Sequence, residues 1–256
     1  MLNLSKLVYT LHEITSLYDY IINNNLHLSS TLIVFDLDNT ILRMSSYLGS
    51  DEWVHMKLLQ IENKVNSCNI KTKHELFDSW ALWISKNRPD MYPVEFNSTI
   101  ETINKLLQTD VKIIILSSRS KNLYDESYEQ LKKNILTEKF YHADSGLIYE
   151  KENVIFKSGI SLVSGMNKGH VLNDLLNHFK LKDNYEPEHL IFIDDMEKHL
   201  IDIHQTISGV NLSLFHYVYT HKNRLQLTEE EIISIDKEWI YFLKNHTNIF
   251  KLRSSL

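Results

Sequence analysis

Four short apolar runs punctuate the chain, and each ends in polar residues. Residues 32–35, within TLIVFDLDNTIL, are continuously apolar and run into two acids. VKIIILSS from Val111, HLIFIDD from His189 and VNLSLFHYVY from Val210 repeat that form. A short, unbroken apolar run reads as a strand buried on both faces, as in the middle of a parallel sheet. Between the runs, apolar residues recur at three- and four-residue steps, as over 123–134 and 168–179, which predicts helices. Strands alternating with helices imply βαβ units. The expected fold class is therefore α/β: a three-layer, doubly wound, Rossmann-like parallel sheet.

Other stretches add to that rhythm. Leu4, Leu7, Val8, Leu11, Ile14, Leu17, Tyr18, Ile21 and Ile22 predict an amphipathic helix within 1–30, ended by the Asn23–Asn25 run and packed on the domain. Residues 45–107 read as a helical cap inserted between the first and second strands, rich in Trp53, Trp80 and Trp83. Residues 141–165 read as a hairpin or loop. The tail, 226–256, reads as helical after Thr228, with Trp239, Tyr241, Phe242 and Phe250 holding it to the body. That leaves 31–44 and 108–225 as the core domain. In open α/β sheets, ligands bind outside the carboxyl ends of the strands, where such an insert would stand.

Composition narrows the function classes. With 43% hydrophobic and 23% charged residues over 256 positions, the chain resembles an ordinary soluble globular protein. A net charge of −6 carries no electrostatic footprint for nucleic acid. No apolar run approaches the roughly 20 residues of a membrane span. Lys6, Glu13 and Asp19 interrupt the N-terminal pattern, so no signal-peptide core is expected. A cytoplasmic protein is the expectation, with secretion as a bacterial effector through a non-cleaved signal as the alternative. Cys68 stands alone, which rules out an intrachain disulfide and fits a reducing compartment.

The polar residues at the strand ends carry the chemistry. The first strand delivers Asp36 and Asp38, the second Ser117 and Ser118, and a later one Asp194 and Asp195, while a helix begins near Lys168. Each piece has an ordinary reading: Asp-x-Asp as a turn or helix cap, the serines as turn residues, the lysine as a solvated side chain. Together and in this order they point elsewhere. Four carboxylates converging on one sheet edge repel unless a cation joins them. An all-oxygen donor set of that kind suits Mg²⁺. Serine hydroxyls and a lysine ammonium are the groups that hold a phosphoryl.

FDLDNT, IIILSS, NKG and FIDD resemble the four ordered motifs of the haloacid dehalogenase (HAD) superfamily, over about residues 31–219. LGSDEW, YPVEF and FKSGISLVSGMNKG further resemble an uncharacterised bacterial subfamily of it. The resemblance implies a phosphatase fold with Asp36 as the nucleophile that forms an aspartyl-phosphate. Asp38 would protonate the leaving oxygen and later take a proton from water. The side chain of Asp36, the backbone carbonyl of Asp38 and the Asp194/Asp195 pair would hold Mg²⁺, with Asp195 as the direct ligand and Asp194 as its neighbour. Ser117, Ser118 and Lys168 would bind the phosphoryl group, and Thr40 would orient Asp38 or the backbone.

The second acid favours phosphate-ester hydrolysis over dehalogenation, because a halide leaves without a proton whereas an alkoxide needs one. A small phosphometabolite is the expected substrate, with phosphotyrosine as its alternative. His199 departs from the resemblance, standing where a further acid or Asn is common. Arg119 reads as a substrate-anion contact or a helix cap. Trp53, His55, Trp80, Trp83 and Tyr92 read chiefly as core, with a role in lining the site as the alternative. Other hydrolase signatures are missing: no HExxH, no Walker spacing around GMNKG, and no Gly-rich loop and Arg after Cys68. Two rivals remain at this level. One is a catalytically attenuated HAD-fold interaction or effector protein; the other is a phospho-acceptor switch.

Overall fold

The computed structural model describes residues 8–63, 72–142, 148–222 and 227–253, and at 148 and 247–253 the backbone alone. Cys68 lies outside the described residues. Strands occur in chain order at β1 (Val8–Leu11), β2 (Thr31–Phe35), β3 (Leu42–Met44), β4 (Met91–Pro93) and β5 (Lys112–Ser117), then β6 (Ile148–Lys151), β7 (Val154–Lys157), β8 (Ile160–Leu162), β9 (His189–Asp194) and β10 (Asn211–Tyr217). Helices occur at α1 (Thr15–Asn23), α2 (Asp51–Glu62), α3 (Lys73–Asn87), α4 (Asn97–Leu106) and α5 (Tyr124–Lys132). They continue with α6 (Lys168–Asp183), α7 (Glu197–Thr206), α8 (Tyr219–Lys222) and α9 (Glu229–Arg253). By internal contacts the chain divides into two units: Met1–Arg43 with Met91–Asn223, and Met44–Asp90 with Arg224–Leu256.

The first unit holds an eight-stranded sheet in the order β1-β10-β9-β2-β5-β8-β7-β6. The pairs from β1 through to β8 are parallel, and β7 and β6 extend the edge antiparallel. This is the expected α/β class, a parallel-dominated sheet flanked by helices. The apolar runs become its centre because β2, β5 and β9 bury residues on both faces. Leu32, Val34, Ile114, Leu116, Leu190 and Phe192 join one core with Leu172, Leu175 and Phe179 of α6 and Leu200 and Ile203 of α7. The alternate residues Ile33, Phe35, Ile113, Ile115, Ile191 and Ile193 are just as buried. Helices α1 and α4 pack on each other and bury Leu17, Ile21, Ile103 and Leu106.

The N-terminal segment differs from the expected single helix. Val8–Leu11 forms β1, parallel to β10 in the register Val8↔Leu214 to Leu11↔Tyr217. Among the described residues of this segment the α-helix is Thr15–Asn23, which ends at the asparagine run as expected, with Asn25 left-handed at φ 48°; Leu4 and Leu7 lie outside the described residues. The pairing explains the change: β10 would otherwise end the sheet with unpaired backbone groups, and β1 satisfies them. Tyr9 stacks on Phe215, their ring centroids 5.2 Å apart, as a cross-strand pair. The stretch expected as a hairpin or loop over 141–165 also joins this sheet, as β6, β7 and β8; residues 143–147 lie outside the described ones.

The second unit is helical and builds its own core. Trp53 of α2 and Trp239 of α9 are both fully buried and meet edge to face at 4.6 Å between centroids. Lys57 of α2, also buried, donates to Asp236 of α9 at 2.5 Å and to Gln60 at 3.1 Å. In α3, Trp80 donates its indole N–H to the Gly49 carbonyl at 2.7 Å, and Trp83 is 6% exposed. The three tryptophans of the insert are therefore core residues, whereas His55 and Tyr92 are exposed.

The division differs from the sequence expectation in two respects. Helix α4 and residues 91–107 belong to the first unit. The tail belongs with the insert: Trp239 seats on Trp53, Tyr241 is 71% exposed, and the side chain of Phe250 lies outside the described ones. Two helices alone bury little on each other, and α9 supplies the third apolar face that such a unit needs. Among the described residues, no helix is long and apolar enough to cross a membrane.

Candidate active site

Strand β2 is where the order of the sheet reverses, with β5 on one side and β9 on the other, all parallel. A crevice opens at the carboxyl ends of strands at such a switch point. Register then decides which side chains meet there. Phe35 pairs with Ile193 across β2 and β9, so the next residues, Asp36 and Asp194, emerge side by side. The Asp36 N–H donates to the Ile193 carbonyl at 2.9 Å and carries the ladder one residue beyond the strand. The chain then turns sharply over 37–42, with Asn39 left-handed at φ 58° and the Ile41 and Leu42 N–H groups both donating to the Leu37 carbonyl at 3.0 Å.

Lys168 enters from the opposite direction, as the first residue of α6. Asn167 caps that helix, its side-chain oxygen accepting from the His170 N–H at 3.0 Å. Gly169 lets α6 lie close against α7: a Cβ there would stand 2.3 Å from the Asp202 carbonyl oxygen and 2.7 Å from Thr206 Oγ. Gly169→Ala is therefore expected to destabilise the protein by about 1–3 kcal/mol, through overpacking against a backbone atom. A thermal melt checks it: an unchanged Tm would show that α6 and α7 separate freely.

The Lys168 ammonium is completely buried and bridges two strands. It donates to Asp36 Oδ1 and, at 2.6 Å, to Asp194 Oδ2. Burial alone would lower its pKa, but the Asp194 and Asp36 carboxylates outweigh that and hold it above the ordinary lysine value. Asp194 shows the reverse balance. Burial would raise its pKa, yet Lys168 and then His199 bring it down to about 2. Asp36 is governed by burial, which the Lys168 charge offsets only in part and to which Asp194 and Asp38 add repulsion; its pKa lies well above the ordinary carboxylate value.

Asp36, Asp194 and Asp195 are all buried and bring carboxylate oxygens within 4.8 Å of one another. With Asp38 they make four carboxylates beside the Lys168 ammonium and the Arg119 guanidinium. An all-oxygen donor set of this kind fits a divalent cation of the Mg²⁺ class. Asp194 already accepts from Lys168 and from the Met196 N–H at 2.9 Å, and His199 Nδ1 lies 3.0 and 3.1 Å from its two oxygens.

The remaining sequence-selected residues divide. Ser117, at the end of β5, is buried and its Oγ accepts from the Arg119 N–H at 3.2 Å. Ser118 is half-buried, with its Oγ 3.5 Å from His199 Nε2. Thr40 is fully buried, but its hydroxyl has no hydrogen-bond partner among the described residues. It is thus not brought into a bond with Asp38. Two other residues gain definite contacts. His199, in the first turn of α7, faces Asp194 and Ser118. Arg119 is 1% exposed and grips Asp38, donating from Nε to Oδ2 and from Nη2 to Oδ1, both at 2.8 Å.

Sequence reasoning missed Ser127 and Gln130 of α5, which accept from Arg119 Nη1 at 2.9 and 2.7 Å. Their spacing, one helical turn, would fit any polar helix face and carries no signal by itself. His216 and His221 were also not selected: His216 Nε2 lies 3.0 Å from the Asp195 carbonyl oxygen and His221 Nε2 4.0 Å from Asp195 Oδ2.

A family model described as "Protein of unknown function (DUF2608)" matches residues 10–250. The chain belongs to that family. The match spans both units, from β1 to α9. No curated protein matches the sequence. Among solved structures, the chain is similar to a haloacid dehalogenase-like family hydrolase from Streptococcus pneumoniae, at 16% identity and a TM-score of 0.42, covering 72% of this chain and 83% of that one. It is also similar to a class C acid phosphatase from Bacillus anthracis solved with tungstate bound, at 15% identity and a TM-score of 0.40, covering 88% of this chain and 85% of that one.

Proposed function

We propose that this protein is a HAD-type phosphatase that hydrolyses a phosphomonoester, with Asp36 as nucleophile and a divalent cation, Mg²⁺ by its donor set, as cofactor. The observation that carries the reading is the buried Lys168 ammonium between Asp36 and Asp194, at the switch point of a parallel sheet, with Asp195 within metal-ligand reach. Structural lysines are rarely buried whole, and one held against two carboxylates beside a third is an arrangement suited to binding an anion through a cation. The four ordered sequence motifs support the same reading.

In the proposed reaction, an Asp36 carboxylate oxygen attacks phosphorus, the new O–P bond forms and the ester P–O bond breaks. Asp38 gives a proton to the departing oxygen, then takes one from the water that attacks the aspartyl-phosphate, releasing phosphate and restoring Asp36. Asp36, Asp195 and the Asp38 carbonyl would hold the cation, with Asp194 behind them. Bound there, it would neutralise charge on the transferring phosphoryl group. Lys168 would add its charge from the side of Asp36 and Asp194, and Ser117 and Ser118 would donate hydroxyl hydrogens to phosphoryl oxygens. A small phosphometabolite or phosphotyrosine is the proposed substrate.

Hydrolysis of p-nitrophenyl phosphate tests the reading. Turnover is expected with Mg²⁺, to be lost in EDTA and restored by excess Mg²⁺. A folded protein that neither turns over any of a panel of phosphomonoesters nor binds beryllofluoride with Mg²⁺ would refute it.

A further inference from the structure

The geometry points to Arg119 as the positioning residue of the reaction: α5 holds its guanidinium, and the guanidinium in turn fixes the carboxylate of Asp38. The inference rests on the phosphatase reading and adds a part to it.

A guanidinium has five N–H donors in a rigid planar fork and is always charged. In Arg119 each finds an acceptor. Nε and one Nη2 hydrogen go to the two oxygens of Asp38, both at 2.8 Å, the bidentate pattern. Nη1 spends its two on Ser127 Oγ and Gln130 Oε1, at 2.9 and 2.7 Å. The second Nη2 hydrogen faces Met91 Sδ at 3.9 Å.

No donor is left for a substrate anion, which removes the first role that the sequence allowed. Helix capping is removed as well, since the acceptors are side chains. Asp38 is 19% exposed at its side chain whereas Arg119 is 1% exposed, so the acid is open to solvent and the guanidinium that holds it is not.

Asp38 needs such a holder. It sits in the turn over 37–42, bridged to Leu42 and one residue before a left-handed Asn39, and the hold on its carboxylate comes from Arg119. Proton transfer to a leaving oxygen requires an acid at hydrogen-bond distance, and a misplacement of about 1 Å costs of order 100-fold. The backbone of Arg119 is also tied to the phosphate cradle: its N–H donates to Ser117 Oγ, and its carbonyl accepts from the Ser164 N–H at 2.8 Å. One residue thus sets the acid relative to the serine.

The test compares Arg119→Lys, Gln130→Met, Asp38→Asn and the double variant Arg119→Lys/Asp38→Asn on p-nitrophenyl phosphate with Mg²⁺. Lysine keeps the charge and loses the fork. Its kcat is expected to fall by about 10–100-fold with KM within about twofold of the parent. Gln130→Met leaves both ion-pair partners in place, loosens the grip from α5, and is expected to lower kcat by several-fold with KM unchanged. Because Arg119 acts through Asp38, the double variant is expected to be no slower than Asp38→Asn, within about threefold.

Circular dichroism and a thermal melt establish that each variant is folded; should Arg119→Lys fail there, Gln130→Met decides by the same kcat criterion. A raised KM with kcat retained would make Arg119 a substrate contact and overturn the proposal. Additive losses in the double variant would overturn it too, as would unaltered kcat in both Arg119→Lys and Gln130→Met. The phosphatase reading stands or falls separately: if the parent protein turns over and Asp36→Asn does not, these failures touch Arg119 alone. A folded parent that turns over no phosphomonoester of the panel and binds no beryllofluoride with Mg²⁺ brings down both.

Discussion

Asp36→Asn is expected to lower hydrolytic turnover at least about a thousandfold and yet leave the protein folded. An amide oxygen still accepts from Lys168, but it lacks the charge to displace a leaving group from phosphorus, so the covalent route closes. Stability moves the other way. Burial raises the pKa of Asp36, and its neighbours Asp194 and Asp38 add repulsion. An acid whose pKa is higher folded than unfolded binds more protons when folded, so its contribution to stability declines as pH rises above the ordinary carboxylate value. Asparagine removes that cost. Without divalent cation at neutral pH, the variant is thus expected to melt at or above the temperature of the parent. With Mg²⁺, the parent should gain more than the variant, since the variant has lost a ligand. Parallel melts with and without Mg²⁺, beside the activity assay, check both halves; retained turnover in Asp36→Asn would remove Asp36 as nucleophile.

Lys168→Met is expected to harm both properties at once. The ammonium is wholly buried and is the shared partner of Asp36 and Asp194. Methionine fills much of the same volume, so the loss is chiefly electrostatic. Breaking a buried ion pair by removing one partner costs about 3–5 kcal/mol, because the remaining charge stays buried without compensation. Here two carboxylates are left, with Asp195 close to both. Turnover is expected to fall by about 100–1,000-fold, as for the loss of one preorganised charge at a reacting group. Added Mg²⁺ should recover more stability in this variant than in the parent, since the cation then supplies the counter-charge that Lys168 gave to Asp36 and Asp194. Chemical denaturation with and without Mg²⁺ measures this. A variant as stable as the parent would mean that the lysine was not the counter-ion of the cluster.

The candidate site was largely legible in the sequence because its residues stand mostly at strand ends. A buried strand must be continuously apolar, so its end is marked where polar residues begin, and Asp36, Ser117 and Asp194 stand at such marks. What brings them together is register, in which Phe35 pairs with Ile115 on one side and Ile193 on the other. Thr40 shows the limit of that reasoning. Its place after the motif suggested that it orients Asp38 or the backbone, but its hydroxyl has no partner among the described residues, and Asp38 accepts instead from Arg119.

Other features were decided by contacts between segments remote in the chain. Val8–Leu11 carries a helix-compatible pattern, and four residues are too few to separate the two periods; the unpaired edge of β10 made it a strand. Trp239 reads from sequence as an anchor of the tail, but only the folded chain shows its partner, Trp53, 186 positions earlier and in the insert. The role of Arg119 depended on Ser127 and Gln130 standing one turn apart on α5 at the right height, which no spacing rule encodes.

The division has one physical cause. Apolar periodicity and strand-end chemistry are local properties, written within a few residues, and from them the α/β class, the parallel core and the acid, serine and lysine set follow directly. The choice of partner for a side chain or an edge depends on which distant surfaces meet when the chain closes. That is a property of the packed whole, and it settled β1, the helical unit shared by insert and tail, and the grip of Arg119 on Asp38.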